Sequence, residues 1–344
     1  MTNTITLYNN KGGVSKTTTL FNMGAYLAGR KNKKVLLIDA DPQCNLTELF
    51  FAARSDYYDD PNIELPGDSI LDVFRPRLEG AASRIDVKDI NVAKSDVYQS
   101  LDLIRGDIEF SAMAETYFGS SINLAITPNI NEKNTYLSFR RLVTDLGIEK
   151  KYDYILIDVG PSTGAITRLA FLASSKFLVP VTPDRFCYLG VRTLPKLIKS
   201  WLEHDAMIMA TMKPYGINEE YLSPEFCGAI NQNFQLHRNQ IKESYSKWAS
   251  LIKKEIRNKF LETNGFFVSM KLSKKDPFVC SIENIGQHAP VSQILGKAVF
   301  DLTKSDTAFA STNNTQFYGN VWTAWNKKTK NYEASIKKIV EAIE

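Results

Sequence analysis

The sequence predicts a doubly wound α/β fold, with a mostly parallel sheet flanked by helices. Three continuous apolar runs carry this expectation: Val35-Leu36-Leu37-Ile38, Tyr154-Ile155-Leu156-Ile157 and Phe177-Leu178-Val179-Pro180-Val181. Unbroken rather than alternating apolarity marks strands covered on both faces, the situation of a parallel sheet. Stretches with helical spacing lie between the runs, and strands alternating with helices imply helices on both faces of one sheet.

In chain order, Thr4 to Tyr8 alternates polar and apolar residues as a strand does. A glycine-bearing loop, Asn9 to Ser15, leads to a helix from Lys16 to about Gly29, and the Val35 run then ends in an acid, Asp39. The stretch 53–96 fits the alternation less well. Asp56-Tyr57-Tyr58-Asp59-Asp60-Pro61 reads as an acidic surface loop, and Ser69 to Arg75 as a short helix. Leu101 to Ile104 is a weaker strand, Thr135 to Leu146 a helix, and the Tyr154 run ends in Asp158. Leu189 to Trp201 is helical, and Phe226 to Ile230 is another weaker strand. Ile241, Tyr245, Trp248, Ile252 and Ile256 recur at spacings of 4, 3, 4 and 4, a helical stripe. Ile336, Ile339, Val340 and Ile343 line one face of a last helix, as expected of a helix docked on a core.

Composition excludes several classes. Hydrophobic residues make up 44% of the 344 residues and charged residues 23%, which rules out wholesale disorder. Cys44, Cys187, Cys227 and Cys280 form no CxxC pair, so a reduced, cytoplasmic setting is expected. His204, His237 and His288 are too far apart in sequence to suggest histidine metal chemistry. The N-terminus lacks the apolar core of a signal peptide, and no run approaches the about 18 apolar residues of a membrane span. The net charge of +4 is too small to indicate a nucleic-acid partner. Locally it differs: Arg238 to Lys275 holds ten basic and three acidic residues, a net +7.

Lys11-Gly12-Gly13-Val14-Ser15-Lys16-Thr17-Thr18 sits between the first strand and first helix, the context a phosphate-binding loop requires. Glycines let backbone N–H groups turn toward a polyphosphate, and the following helix offers its positive end. The common pattern G-x-x-x-x-G-K-[ST] fails here, because Asn10 and Ser15 stand where it needs glycines. The segment instead resembles the deviant Walker A motif of the ParA/MinD family of ATPases, K-G-G-x-G-K-T-T, departing only at Ser15. Asp39-Ala40-Asp41-Pro42-Gln43-Cys44-Asn45 resembles that family's D-x-D-P-Q-G-N segment, with Cys44 in place of glycine. Ile157-Asp158-Val159-Gly160-Pro161 resembles its Walker B end, where two prolines are more usual. Weaker similarities are Leu103-Ile104-Arg105-Gly106-Asp107, Val179-Pro180-Val181-Thr182-Pro183-Asp184 and the Cys280 to Lys297 segment.

The resemblance, closest to the ParA/Soj partition type, implies one P-loop ATPase domain over 1–344. It has insertions near 53–96 and 205–225 and an extended C-terminal helical part from about 236. It implies ATP and Mg²⁺, with Gly12, Gly13, Val14, Ser15, Lys16, Thr17 and Thr18 on the phosphates and Pro183 and Asp184 near the base. Thr17, Asp39 and Asp158 would serve the metal, Lys11 would reach the nucleotide of a partner copy in an ATP dimer, and Asp41 would position water. Turnover would be slow and stimulated by a small ParB-like partner. A serine before Lys16 strains the loop if the position needs positive φ, leaving binding intact while slowing hydrolysis. ParA-type members bind DNA without sequence preference, and Lys247, Lys253, Lys254, Arg257 and Lys259 are the expected contacts. No DNA-reading domain precedes the loop, so operator-specific repression is not expected. Membrane binding through the last helix, as in MinD-type members, is not expected either, since no bulky aromatic lies there. The alternative reading is a ParA-like switch that acts as a regulatory adaptor for a protein partner.

Overall fold

The computed structural model describes residues 2–54, 63–81, 84–234, 236–237, 240–241, 243–262 and 266–344, with backbone alone at 236–237 and 240–241. The Asp56 to Pro61 loop and the side chains of Arg238 and Lys242 therefore lie outside the described residues. The chain opens with β1 (Asn3–Leu7), a loop and α1 (Lys16–Lys31), then β2 (Val35–Asp39) and α2 (Asn45–Phe51). There follow α3 (Ile70–Leu78), β3 (Ala93–Lys94), β4 (Leu101–Ile104), α4 (Ile108–Leu124) and α5 (Ile130–Glu149). The middle continues with β5 (Tyr154–Asp158), α6 (Ala165–Leu172), β6 (Lys176–Val181), α7 (Arg185–Ala210) and β7 (Glu225–Phe234). The remainder holds β8 (Leu236–His237), β9 (Gln240–Ile241), α8 (Glu243–Ile256), β10 (Phe267–Val268), β11 (Phe278–Glu283), α9 (His288–Leu295) and α10 (Gly319–Ile343).

Among the described residues, nine strands form one sheet in the order β10-β7-β6-β1-β5-β2-β4-β3, with β11 also paired to β7. All pairings in it are parallel except β3–β4. The three apolar runs are its central strands and are buried throughout, which is why they show no alternation. Alternate residues still serve different layers. Leu36 and Ile38 join the core under α3 to α8, with Phe74, Phe110, Phe139 and Phe171, while Val35 and Leu37 join the core under α1, α2 and α10. Gly24 lets α1 lie close on the sheet, since a Cβ there would come within 2.9 Å of Leu37.

Ile336, Ile339, Val340 and Ile343 are fully buried, so the apolar face of α10 is spent on the core. No helix among the described residues is long and apolar enough to cross a membrane. The stretch from 236 onward, expected to be helical, also supplies two strands to the sheet. The stripe read as one helix from Ile241 is divided. Ile241 pairs with Leu236 in the β8–β9 hairpin, and α8 begins at Glu243, burying Ile252 and Ile256. Tyr188 of α7 meets Trp248 of α8 at 5.8 Å between rings, setting α8 beside α7.

β1, β2 and β5 are neighbours in the sheet, so the loops leaving their C-terminal ends converge. In α/β sheets that edge is where ligands bind.

Candidate nucleotide site

A cavity of about 650 Å³ opens at this edge. It is lined by Gly12 to Thr18, by Asp41, and by Gln43, Glu48, Pro161 and Gln293 among others. The loop wraps the start of α1, where no side chain caps the helix and no acid occupies the first turn. The uncapped N–H groups and the helix dipole therefore present positive charge to the cavity. Lys16 is 7% exposed, and its Nζ lies 3.4 Å from the Asn9 carbonyl oxygen. Burial pushes its ammonium below the usual lysine range, against the opposing charges of Asp158 and Asp41. Such a buried cation is stabilised by an anion placed in the cavity.

The loop adopts left-handed backbone at Gly13 (φ 72°) and at Ser15 (φ 59°), the N-cap of α1. Ser15 therefore carries the strain that a glycine would avoid. Its hydroxyl accepts a hydrogen bond from Asn233 Nδ2 at 3.1 Å, and Asn233 itself has φ 58°. Cys44 repeats the pattern at the N-cap of α2, with φ 53° where the motif has glycine. Its thiol is pushed up to about 12 by burial and then by Asp39, Asp107, Asp41 and Glu48, which disfavours the thiolate.

The acids converge from two strands. Asp39 and Asp158 are register partners at the ends of β2 and β5. Asp39 is already engaged: Thr47 donates to it from N (2.8 Å) and Oγ1 (2.7 Å), and the Asp41 N–H from 3.3 Å. Asp158 is fully buried, and neither of its carboxylate oxygens has a partner at hydrogen-bond distance and angle. Burial, reinforced by Asp39's charge, pushes Asp158 up to about 8, although the nearby Thr17 hydroxyl acts the other way. An enclosed carboxylate left this poorly satisfied fits a site that a divalent cation and its water complete. No three acidic, histidine or cysteine side chains form a protein-only metal cage among the described residues. Asp158 with the nearby Thr17 hydroxyl suits Mg²⁺, which keeps water and phosphate in its shell. Asp41, 7% exposed, faces the cavity, and its Oδ1 accepts from the Gln43 N–H at 3.1 Å. A Cβ at Gly160 would lie 3.1 Å from that oxygen, so glycine there leaves Asp41 its place.

Lys11 is not among the residues lining the cavity. Its Nζ sits 2.6 Å from Asp184 Oδ2 and 3.0 Å from Thr182 Oγ1 of the same chain. Burial works against Asp184's charge, but Lys11 and Thr182 hold its carboxyl below the usual range. Asp184 also caps α7, accepting the Cys187 N–H at 2.9 Å. Asp184, read near the base together with Pro183, thus sits beside Lys11, and neither of the two is among the residues lining the cavity. Of the basic residues on α8 and the turn after it, Lys253 pairs with Asp276 and Arg257 with Glu262, while Lys247, Lys254 and Lys259 are exposed. The motifs did not reveal Thr47, Thr182 or Asn233, although Thr182 stands inside a quoted segment.

A family model described as an AAA domain matches residues 2–209. Over 207 residues the chain is 30% identical to the sporulation initiation inhibitor protein Soj of Bacillus subtilis, covering 59% of this chain and 69% of Soj. The chain belongs to the ParA/MinD family of P-loop ATPases. A second ParA/MinD relative, the chromosome-partitioning ATPase Soj of Treponema pallidum, is 30% identical over 199 residues, 58% of this chain and 64% of that protein. These matches leave about a third of each relative's length unmatched. Solved structures extend the likeness of fold. Protein DIP2308 from Corynebacterium diphtheriae superposes with TM-score 0.64 at 21% identity, over 86% of this chain and 97% of that one. A complex of a Cyanothece McdA variant with ATP superposes with TM-score 0.61 at 16% identity, over 98% of this chain and 96% of that one. The family model ends with α7, so the basic α8 lies beyond it.

Proposed function

We propose that this chain is an ATP-driven dimerising switch that partitions or positions DNA. ATP would bring two copies face to face, the paired form would bind DNA without sequence preference, and hydrolysis would reset it. The supporting observation is Lys11. A cation of the phosphate loop that stays outside its own cavity, held by Asp184 and Thr182 at the rim, is available to the phosphates of a second copy. Release from Asp184 and insertion opposite a partner's phosphates would make pairing depend on nucleotide.

Within each copy, the loop N–H groups and Lys16 bind and orient the polyphosphate. Thr17 and Asp158 are the groups to hold Mg²⁺ and its water, with Asp39 positioned behind them by Thr47. The ion neutralises charge on the phosphate oxygens when bound. Asp41 holds a water in line, a positioning role. Lys11 of the opposing copy adds positive charge where it develops in phosphoryl transfer. A slow cycle stimulated by a small DNA-bound, ParB-like protein, in a cytoplasmic, nucleoid-associated setting, completes the reading.

Phosphate release in ATP and Mg²⁺ tests it. Wild type should turn over slowly, and Asp41→Ala should retain bound ATP while losing turnover by at least about 10²-fold. If Asp41→Ala hydrolyses as fast as wild type, the assignment of the water-positioning group is wrong.

A further inference from the structure

α7 buries Val191, Leu194, Ile198 and Trp201 against the core and leaves Arg185, Arg192 and Lys196 exposed on its outer side, at helical spacing. α8 packs alongside, and beside the Tyr188–Trp248 contact the Arg192 guanidinium lies 5.8 Å from the Tyr188 ring. Lys247 and Lys254 are exposed on α8, and Lys259 follows in the next turn. Other cations near this seam are neutralised within the chain: Lys199 by Glu203, Lys253 by Asp276 and Arg257 by Glu262. Arg185, Arg192, Lys196, Lys247, Lys254 and Lys259 have no such acid within 4.0 Å among the described residues. The unpaired cations thus form two rows, one on each helix.

We propose that the outer row of α7 is the second half of the nucleic-acid face, so that duplex DNA is held by two helices rather than by the basic segment alone. Packed helices lie about 8–10 Å apart. Two charged rows at that separation match the scale of a duplex major groove, about 12 Å across, and can meet its bordering phosphates together. A membrane surface fits less well. Of the exposed large apolar residues of α7, Phe186 and Leu189 lie at its start and Met207 at its end, so among the described residues no apolar stripe runs between the cations. Phosphate contacts from arginine and lysine need no base readout, in keeping with binding that ignores sequence. This inference rests on the DNA-binding reading above, and it adds a surface that lies within the family-matched region, outside the +7 segment.

The test is binding of a plain duplex to the full chain with ATP and Mg²⁺ across a salt series. It compares wild type with Lys247→Glu/Lys254→Glu on α8 and Arg192→Glu/Lys196→Glu on α7. Thermal melts confirm folding, and Arg192→Gln/Lys196→Gln serves as the milder variant. Both reversals should weaken binding at least about tenfold near 0.1 M salt, and each should lower the slope of log K against log salt by about 2. If the α8 change weakens binding while the α7 change leaves affinity and slope untouched, the α7 row is not part of the face and the DNA reading stands. If wild type binds no duplex at low salt, the DNA reading fails and takes this surface with it.

Discussion

Asp158 is enclosed by protein, and neither of its oxygens has a partner at good hydrogen-bond distance and angle, although the Thr17 hydroxyl lies near. Such a group opposes folding in the nucleotide-free chain, because its charge is desolvated beside Asp39. Asp158→Asn should therefore raise the stability of the nucleotide-free protein by about 1–3 kcal/mol, seen as a higher melting temperature. The same change should remove the extra thermal protection that Mg²⁺ adds to ATP. A nucleotide-free protein that melts lower after this substitution would show that Thr17 and Lys16 favour the Asp158 carboxylate by more than its burial costs. Ser15 gives a second test. Its left-handed backbone costs about 1 kcal/mol relative to glycine, while its bond to Asn233 returns about as much. Ser15→Ala keeps the strain and loses the bond, so denaturant melts should place it about 1 kcal/mol below wild type. Ser15→Gly should stay within about 1 kcal/mol of wild type and hydrolyse ATP faster, since the loop regains freedom. Equal stability of all three would mean that neither strain nor bond matters. The departure from glycine at Ser15 was legible in the sequence. Its partner was not, since Asn233 lies 218 residues away and belongs to no motif.

At the scale of elements, the strands were the most legible part of the chain. Runs such as Tyr154 to Asp158 are buried on both faces, and an unbroken apolar run of that short length favours a strand over a helix. The 17-residue α4 was missed: only Phe110, Ala114, Phe118, Ser121 and Ile122 are buried, and apolar residues such as Ile108 (74% exposed) blur its stripe. β11 only partly overlaps the segment from Cys280 that was read by resemblance, and it begins two residues earlier. α10 was legible as amphipathic, but only packing shows what its apolar face meets. Ile339→Ala should cost about 2–4 kcal/mol in denaturant melts, as a fully buried branched side chain does. A cost below about 0.5 kcal/mol would mean that the face is not held in the core. α7 connects two scales, because Asp184 caps it and also holds Lys11. Asp184→Ala should cost about 1 kcal/mol for the lost cap while freeing Lys11. It should then lower the ATP concentration needed for pairing, read by sizing at stepped ATP. An unchanged or higher requirement would mean that the contact does not restrain Lys11.

The whole molecule hides its charge distribution in its total. A net +4 says nothing about partners, whereas two rows of unpaired cations on adjacent helices define a face. The sheet order brings the loops after β1, β2 and β5 to one edge, so the motifs converge although they lie far apart in the chain. Lys11 is the piece that a single copy leaves outside its own cavity, and in the proposed function it would act in the dimer. Analytical ultracentrifugation of wild type and Lys11→Ala, each with Mg²⁺ and either ADP or ATP, tests this most directly. Wild type should sediment as one 38.8 kDa chain with ADP and as two with ATP, while Lys11→Ala binds ATP yet stays single. A wild type that remains single with ATP, or a Lys11→Ala protein that pairs as wild type does, would contradict the account.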